Sequence, residues 1–273
     1  MSAALDQLRI AARIAWDVAA YRLRKREMGN LATSVALAVA LALPWPELLY
    51  RAAFAALLNV FVYLVNDCFD VAIDLRAPGR DNARTRFLAE HLRTAWVTCA
   101  ALALGLCAMG AAWSVGLLVT AVVNIAVIAA YSKSLKHRPF WDVIAMGLWG
   151  VSMAMAAFPL DRADAWRLVG LLGALSMVTE CVQVLRDEAS DRAAGVRTTA
   201  VVLGAGVTRG VTRALVLVAA GYGAVMIHPL GAVLALGALV DLRPEAVNRS
   251  WDKLRALFGV TWLALLALQR LGH

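Results

Sequence analysis

The sequence predicts an all-helical polytopic membrane protein, and three observations carry that prediction. Hydrophobic residues make up 62% of the 273 and charged residues only 17%, against roughly 45–50% and about 25% in soluble globular domains. The apolar residues come in successive segments, several near the roughly 20 residues that a spanning helix needs. The basic residues gather in alternate connections, as they do in polytopic chains. Open strands would leave backbone groups unpaired in lipid, and no segment alternates as a barrel strand does. The same bulk numbers exclude disordered, collagenous, coiled-coil and disulfide-stapled classes.

Residues 3–24 are too charged to span. Asp6, Arg9, Arg13, Asp17 and Arg24 share one face at helical spacing, while Leu5, Leu8, Ala12, Trp16 and Leu23 face away. That pattern predicts an amphipathic helix lying in the membrane interface. A cleavable signal peptide, with Ala40-Leu41-Ala42 as its site, is disfavoured by the long charged lead. Apolar segments then follow near 30–46, 48–66, 94–112, 114–131, 141–160, 165–185, 209–228, 229–240 and 255–271. They predict nine spans in one transmembrane domain covering 1–273. The short eighth segment must be tilted, re-entrant or joined to its neighbour, which leaves eight spans as the fallback. No repeat or low-complexity stretch interrupts the series. Cys68, Cys99, Cys107 and Cys181 stand singly in apolar surroundings and read as small buried hydrophobes.

Nine crossings put the N-terminus and every second loop on one side. Of the 27 Lys and Arg residues, six lie in 1–30, five in 75–95, three in 132–140, five in 186–213 and four in 241–255. The other side keeps only Arg51, Arg162, Arg167 and Arg270. The basic side is therefore expected to be cytoplasmic in a bacterial-type membrane, with the C-terminus opposite. The net charge of +8 is explained by basic loops beside anionic lipid, without a nucleic-acid partner.

Two acidic clusters end apolar segments on that basic side. In the first, Asn66, Asp67, Asp70 and Asp74 are spaced by three and four, which puts them on one helix face. Tyr63 and Asn59 continue the face deeper. In the second, Asp187 and Asp191 are four apart, Glu188 lies beside them, and Gln183, Glu180 and Ser176 follow inward at the same rhythm. Ionisable groups at membrane depth are costly and mark functional sites. Carboxylates so close raise one another's pKa unless a cation offsets them. Oxygen-only ligands at this spacing suit Mg²⁺, which takes one or two carboxylates and completes its shell with water and substrate phosphates. Two clusters suggest two ions flanking one diphosphate. The basic complement comprises Tyr131, Ser132, Lys136, His137 and Arg138, with Arg76, Arg80, Arg84 and Arg86 after the first cluster and Arg186, Arg192 and Arg197 around the second. Such groups hold phosphate oxygens. No Walker A loop, G-x-G-x-x-G, H-E-x-x-H or G-x-S-x-G element occurs, and His91, His137, His228 and His273 are isolated.

Together these motifs resemble the UbiA-type intramembrane prenyltransferase superfamily, terpene-cyclase members included. Asn66, Asp67, Asp70 and Asp74 are similar to its N-D-x-x-D-x-x-x-D motif. Asp187, Asp191, Gly195 and Thr198, followed by Gly204, are similar to D-x-x-x-D-x-x-x-G-x-x-T. Tyr131 and Ser132 with Lys136 and Arg138 resemble its Tyr-Ser and basic loop. The resemblance covers about residues 20–270 and implies a nine-helix bundle around a central cavity open to lipid. It implies Mg²⁺ contacts at Asn66, Asp70, Asp187 and Asp191, and supporting roles for Asp67 and Asp74. Diphosphate contacts at Tyr131, Lys136, Arg138 and Arg84 are implied as well. Many members carry Asn-Arg-Pro after the first motif; here the chain reads Asp81-Asn82-Ala83-Arg84-Thr85-Arg86, so the acceptor is less constrained than the diphosphate.

The reaction this implies is ionisation of an isoprenoid diphosphate, with positive groups neutralising the leaving group. The allylic cation would then meet an acceptor, an aromatic ring being the first expectation, in a chamber that keeps water out. Intramolecular attack, giving a cyclic terpene, is the alternative. Glu180 is a candidate base or a structural hydrogen-bonding group. A channel or transporter is disfavoured, because its polar residues would run through the full depth of the bilayer.

Overall fold

The computed structural model describes residues 2–25, 27–76 and 83–272. Arg80, Asp81, Asn82 and His273, read above, lie outside the described residues. Among the described residues there is no strand and there are ten α-helices: α1 (Ser2–Arg24), α2 (Gly29–Ala40), α3 (Trp45–Asp74), α4 (Ala83–Glu90), α5 (Leu92–Trp113), α6 (Val115–Lys133), α7 (Trp141–Ala154), α8 (Ala163–Ala193), α9 (Thr199–Met226) and α10 (Val247–Leu271). Tighter 3₁₀ turns cover Leu135–His137, Met155–Ala157 and Pro229–Leu239.

Among the described residues six helices are long and apolar enough to cross a membrane: α3, α5, α6 with its following turn, α8, α9 and α10. The segments expected at 30–46, 141–160 and 229–240 form shorter apolar helices instead. Each has a local cause. α2 stops at Ala40 because Ala42 takes a positive φ of 53° and Pro44 opens α3, where proline's missing N–H is harmless. α7 narrows into the Met155–Ala157 turn. Pro229–Leu239 winds as 3₁₀, whose rise of roughly 2.0 Å per residue stretches it to about 22 Å, still short of a hydrocarbon core.

Two apolar cores form. Phe54, Leu58, Phe61, Leu106 and Leu117 join α3, α5 and α6 in one, with Ile14 and Val18 of α1. Leu37, Phe158, Leu171, Val216 and Trp262 join α2, α8, α9 and α10 in the other. α7 feeds both, through Trp149 and Met153 on one side and Ala154 on the other. The helix beneath the first acidic motif (α3) packs mainly in the first core, reaching the second only through Leu48, while the one beneath the second motif (α8) packs in the second. α7 packs tightly on α8 because both carry small residues: a Cβ at Gly150 would meet Ser176 Oγ at 2.1 Å, and one at Gly173 would meet Val151 Cγ2 at 2.7 Å. Small residues commonly permit such close approach in membrane bundles.

α9 begins ten residues earlier than the apolar pattern at 209–228 suggests. It bends at Gly204, whose φ of 81° and ψ of 154° interrupt the helix, a conformation a side chain would resist.

Candidate functional site

Helix α3 runs unbroken through the first motif to Asp74, so the predicted one-face stripe is real. Asn66 Nδ2 donates to Asp70 Oδ2 at 2.9 Å, and Ser132 Oγ donates to Asn66 Oδ1 at 3.3 Å. Lys136 pairs with Asp70. The end of α6 and its 3₁₀ turn are thus bound to the first motif by Ser132 and Lys136. Arg138 stays exposed at the end of that turn.

Asp67 differs from its neighbours. It is 4% exposed, with Arg22 on Oδ1 and Arg84 on Oδ2, both at 2.5 Å. Arg22 also pairs with Glu27 at 2.7 Å and lies over the Tyr63 ring at 4.3 Å. Arg84 lies over Tyr21 at 4.2 Å. Burial alone would lower the Arg22 pKa, but the Asp67 and Glu27 carboxylates outweigh it and hold the guanidinium above its ordinary value. Arg22, Glu27 and Tyr21 were not singled out as site residues in the sequence, because nothing local ties them to a motif 45 positions away. The signal was faint: a basic residue, Arg22, off the charged face of α1.

On the other stripe, Arg186 Nε and Nη2 reach Asp187 at 3.0 and 3.2 Å, and Arg192 bonds Glu188 at 2.8 Å. Gly195 ends α8 with a φ of 73°; Gly195 N–H donates to Arg192 O at 3.2 Å and Val196 N–H to Asp191 O at 2.8 Å. This pair of bonds is a Schellman cap. It explains a glycine four positions after Asp191: it closes the helix that carries both acids.

Glu180 lies two turns below Asp187 and is 3% exposed. Tyr131 Oη donates to its Oε1 at 3.2 Å, while Oε2 has no partner among the described residues. The end of α6 is thus bonded to both motif helices, to α8 through Tyr131 and Glu180 and to α3 through Ser132 and Lys136.

Asp142 was missed by the sequence reading and is fully buried. Its Oδ2 accepts the Thr199 N–H at 2.7 Å and its Oδ1 the Val143 N–H at 2.9 Å; it also accepts the Thr199 hydroxyl. One carboxylate thus serves the first turns of both α7 and α9, where helix N–H groups lack partners. The neighbouring Thr198, matched to the family threonine, keeps a buried Oγ1 without partner among the described residues. Asp142→Ala is expected to lower stability by about 2–3 kcal/mol, because it strands buried donors; Asp142→Asn, which keeps one carbonyl oxygen, should lose less. Thermal unfolding in detergent checks this, and equal losses for the two variants would refute the capping account.

Among the described residues no three His, Cys, Asp or Glu side chains converge into a metal cage. The donors at hand are hard oxygens on α3 and α8, and Mg²⁺ accepts one or two carboxylates when phosphate and water fill its other positions. The residues fit an ion that arrives with a diphosphate. Beside the site lies a cavity of about 550 Å³ between α2, α8 and α10, lined by groups including Thr33, Leu172, Ser176, Arg255 and Trp262. Its lining is mostly apolar, with Asn30, Asp252 and Arg255 also reaching it, and Asn66, Asp70, Asp187 and Asp191 do not line it. Its Ser176 and Thr179 stand next to Glu180 along α8.

A lycopene elongase/hydratase of Haloferax volcanii is 31% identical over 204 residues, which is 71% of this chain and 65% of that protein; the match thus spans less than two thirds of the relative's length. A UbiA homologue of Archaeoglobus fulgidus, solved with GPP and Mg²⁺, superposes with a TM-score of 0.65 at 17% identity, covering 89% of this chain and 97% of that one. A digeranylgeranylglyceryl phosphate synthase structure gives a TM-score of 0.70 at 14% identity, covering 94% and 98%. At those identities the structures establish the fold. Residues 29–253 match the UbiA prenyltransferase family, and the chain belongs to that family.

Proposed function

We propose that this chain ionises an isoprenoid diphosphate and transfers the allylic group to an acceptor within the membrane, with the diphosphate held at the cytoplasmic face. The observation that carries this reading is the pair of acidic stripes on α3 and α8, joined through Tyr131 and Lys136. Asn66, Asp70, Asp187 and Asp191 would hold Mg²⁺, with Asp67 and Asp74 in support; the ion supplies charge neutralisation to the departing diphosphate. Lys136 and Arg138 add positive charge beside the phosphate oxygens, and Tyr131 offers a hydroxyl. Arg84 serves the diphosphate through Asp67, the carboxylate it is paired with.

The allylic C–O bond breaks and its electron pair leaves with the diphosphate. An acceptor π bond attacks the cation, a C–C bond forms, and the new cation sheds a proton. The unpartnered Glu180 Oε2 is the group that takes this proton. The apolar cavity beside α8 excludes water from the cation. The elongase relative supports transfer to an acceptor over cyclisation, and supports alkenes as acceptors alongside aromatic rings.

Purified protein in nanodiscs, given C10 to C20 prenyl diphosphates with and without acceptor, tests the reading. Diphosphate release should require Mg²⁺, stop on chelation and rise with acceptor. Glu180→Gln should keep release within about threefold while diverting product to isomeric or hydroxylated species. Absence of release overturns the ionisation reading, and a cyclic hydrocarbon formed without acceptor overturns transfer. An unchanged Glu180→Gln product profile removes the proton acceptor.

A further inference from the structure

Helix α1 has three faces, one more than its amphipathic pattern suggests. Ile14 and Val18, each 2% exposed, pack into the α3–α5–α6 core. Gln7 accepts a hydrogen bond from Thr94 of α5 at 2.8 Å, and Arg13 lies over Phe87 of α4 at 3.8 Å. A second face carries the ion-paired Asp6, Arg9, Arg13 and Asp17, with the side chains of Arg9 and Asp6 82% and 62% exposed. The third face is apolar yet bare: Leu5 is 49% exposed, Leu8 66%, Trp16 71% and Leu23 66%. At 100° per residue these four lie within one sector of the helix, between the packed face and the charged one. Such a sector belongs in the headgroup boundary of a leaflet, with charges outward.

The charge agrees with that placement. Arg9, Arg13, Arg22, Arg24 and Lys25 outnumber Asp6 and Asp17 along the helix, which suits an anionic lipid surface. α1 also lies at the motif end of the bundle, because Arg22 reaches Asp67.

That contact is what makes the docking matter. Asp67 gives one oxygen to Arg22 of α1 and the other to Arg84 of α4. Tyr63, one turn below Asp67 on α3, donates to the Glu27 carbonyl at 2.6 Å just after α1 ends. The side chains of Arg22 and Asp67 are only 15% and 5% exposed, so this node is screened little by solvent and holds firmly. Asp67 adjoins Asn66 and lies one turn from Asp70, which are bound to α6.

We propose that α1 is a lipid-seated lever: its Leu5–Leu8–Trp16–Leu23 sector docks on the leaflet at the motif end, and Arg22 transmits that seating to Asp67, setting the first aspartate motif for catalysis. Asp67 and Arg22 are then positioning residues. The effect on turnover rests on the proposed function; the docking itself does not.

The experiment uses full-length protein in nanodiscs of neutral phosphatidylcholine or of phosphatidylcholine with phosphatidylglycerol. The variants are Arg22→Gln, the triple variant Leu8→Gln/Trp16→Gln/Leu23→Gln, and their combination. Hydrogen exchange of residues 4–25, diphosphate release, thermal unfolding and oligomeric state are read together. The triple variant should exchange at least tenfold faster in α1 and lose at least tenfold in kcat with little change in KM. Its unfolding temperature should hold, because the three side chains are exposed. Arg22→Gln should lose kcat comparably while α1 stays protected, and the combination should add less than threefold. Wild-type α1 should be better protected on the anionic bilayer. Wild-type exchange in the triple variant overturns lipid docking, and so does a change in oligomeric state, which would make a second copy the occupant. Lost protection with full turnover overturns the lever. Absence of release from the wild type is a failure of the functional reading, and exchange alone then decides the docking.

Discussion

Asp70→Asn combined with Asp187→Asn is expected to cut Mg²⁺-dependent diphosphate release by at least about 1000-fold, or about 4 kcal/mol of transition-state stabilisation at 1.36 kcal/mol per tenfold. The two residues represent the two stripes, one on α3 and one on α8, each already paired with a base: Asp70 with Lys136 and Asp187 with Arg186. The amide keeps size and one carbonyl oxygen but removes the charge that an ion and its diphosphate require. It also releases Lys136 and Arg186, so diphosphate can still bind through cations alone. The loss should therefore fall on kcat more than on KM. Chelating the metal from wild type should reach the same floor, and the double variant should be insensitive to chelation. Thermal unfolding distinguishes this from collapse of the fold, because Asp70 and Asp187 are half-buried rather than core residues. Release within tenfold of wild type would remove both stripes from the chemistry.

Much of this was legible because its cause is local. The four-residue spacing of Asn66, Asp70 and Asp74 on α3, and the seven-and-four spacing of Glu180, Asp187 and Asp191 on α8, is a property of helix periodicity, and both helices run through their motifs. Gly195 was legible as part of a motif, and its Schellman geometry supplies the reason. The span lengths were less legible: hydropathy does not register that Ala42 turns the backbone before Pro44, or that Pro229–Leu239 winds as 3₁₀.

What the sequence hid depends on partners far along the chain. Asp67 and Asp70 look alike in a row of acids, yet Asp67 is buried between arginines from α1 and α4 while Asp70 faces Lys136. That distinction exists only once α1 folds back on α3. Asp142 reads as a lone charge opening an apolar helix; its value lies in capping Thr199, 57 positions later, which also explains why α9 starts well before its apolar stretch. Hydrophobic pattern locates membrane segments, whereas caps and ion pairs between segments are set by tertiary contact.

Arg51 shows the same effect at the far end of the bundle, and its removal should be the most destabilising single change. Charge counting treats it as one of four basic residues left on the less basic side. In the structure it is 3% exposed. Its Nε bonds Glu47 at 2.8 Å, and its Nη1 reaches the carbonyls of Phe158 at 2.9 Å and Ala156 at 3.3 Å. Those carbonyls follow α7, where a helix end leaves acceptors unpaired and favours positive charge. Arg51→Ala strands them together with Glu47, and losing one member of a buried pair costs about 3–5 kcal/mol. Arg51→Lys should recover less than half, since a single ammonium cannot fork between Glu47 and two carbonyls. Glu47→Gln should cost about 1 kcal/mol, because that side chain is 22% exposed and water replaces part of the bond. Arg51 precedes Asp70 by 19 residues on one helix, about 28 Å at 1.5 Å per residue. Diphosphate release per folded molecule should consequently be unchanged while the unfolding temperature falls. An Ala variant within 1 kcal/mol of wild type, or one that unfolds normally but turns over slowly, would show that Arg51 is not the anchor between α3 and the end of α7.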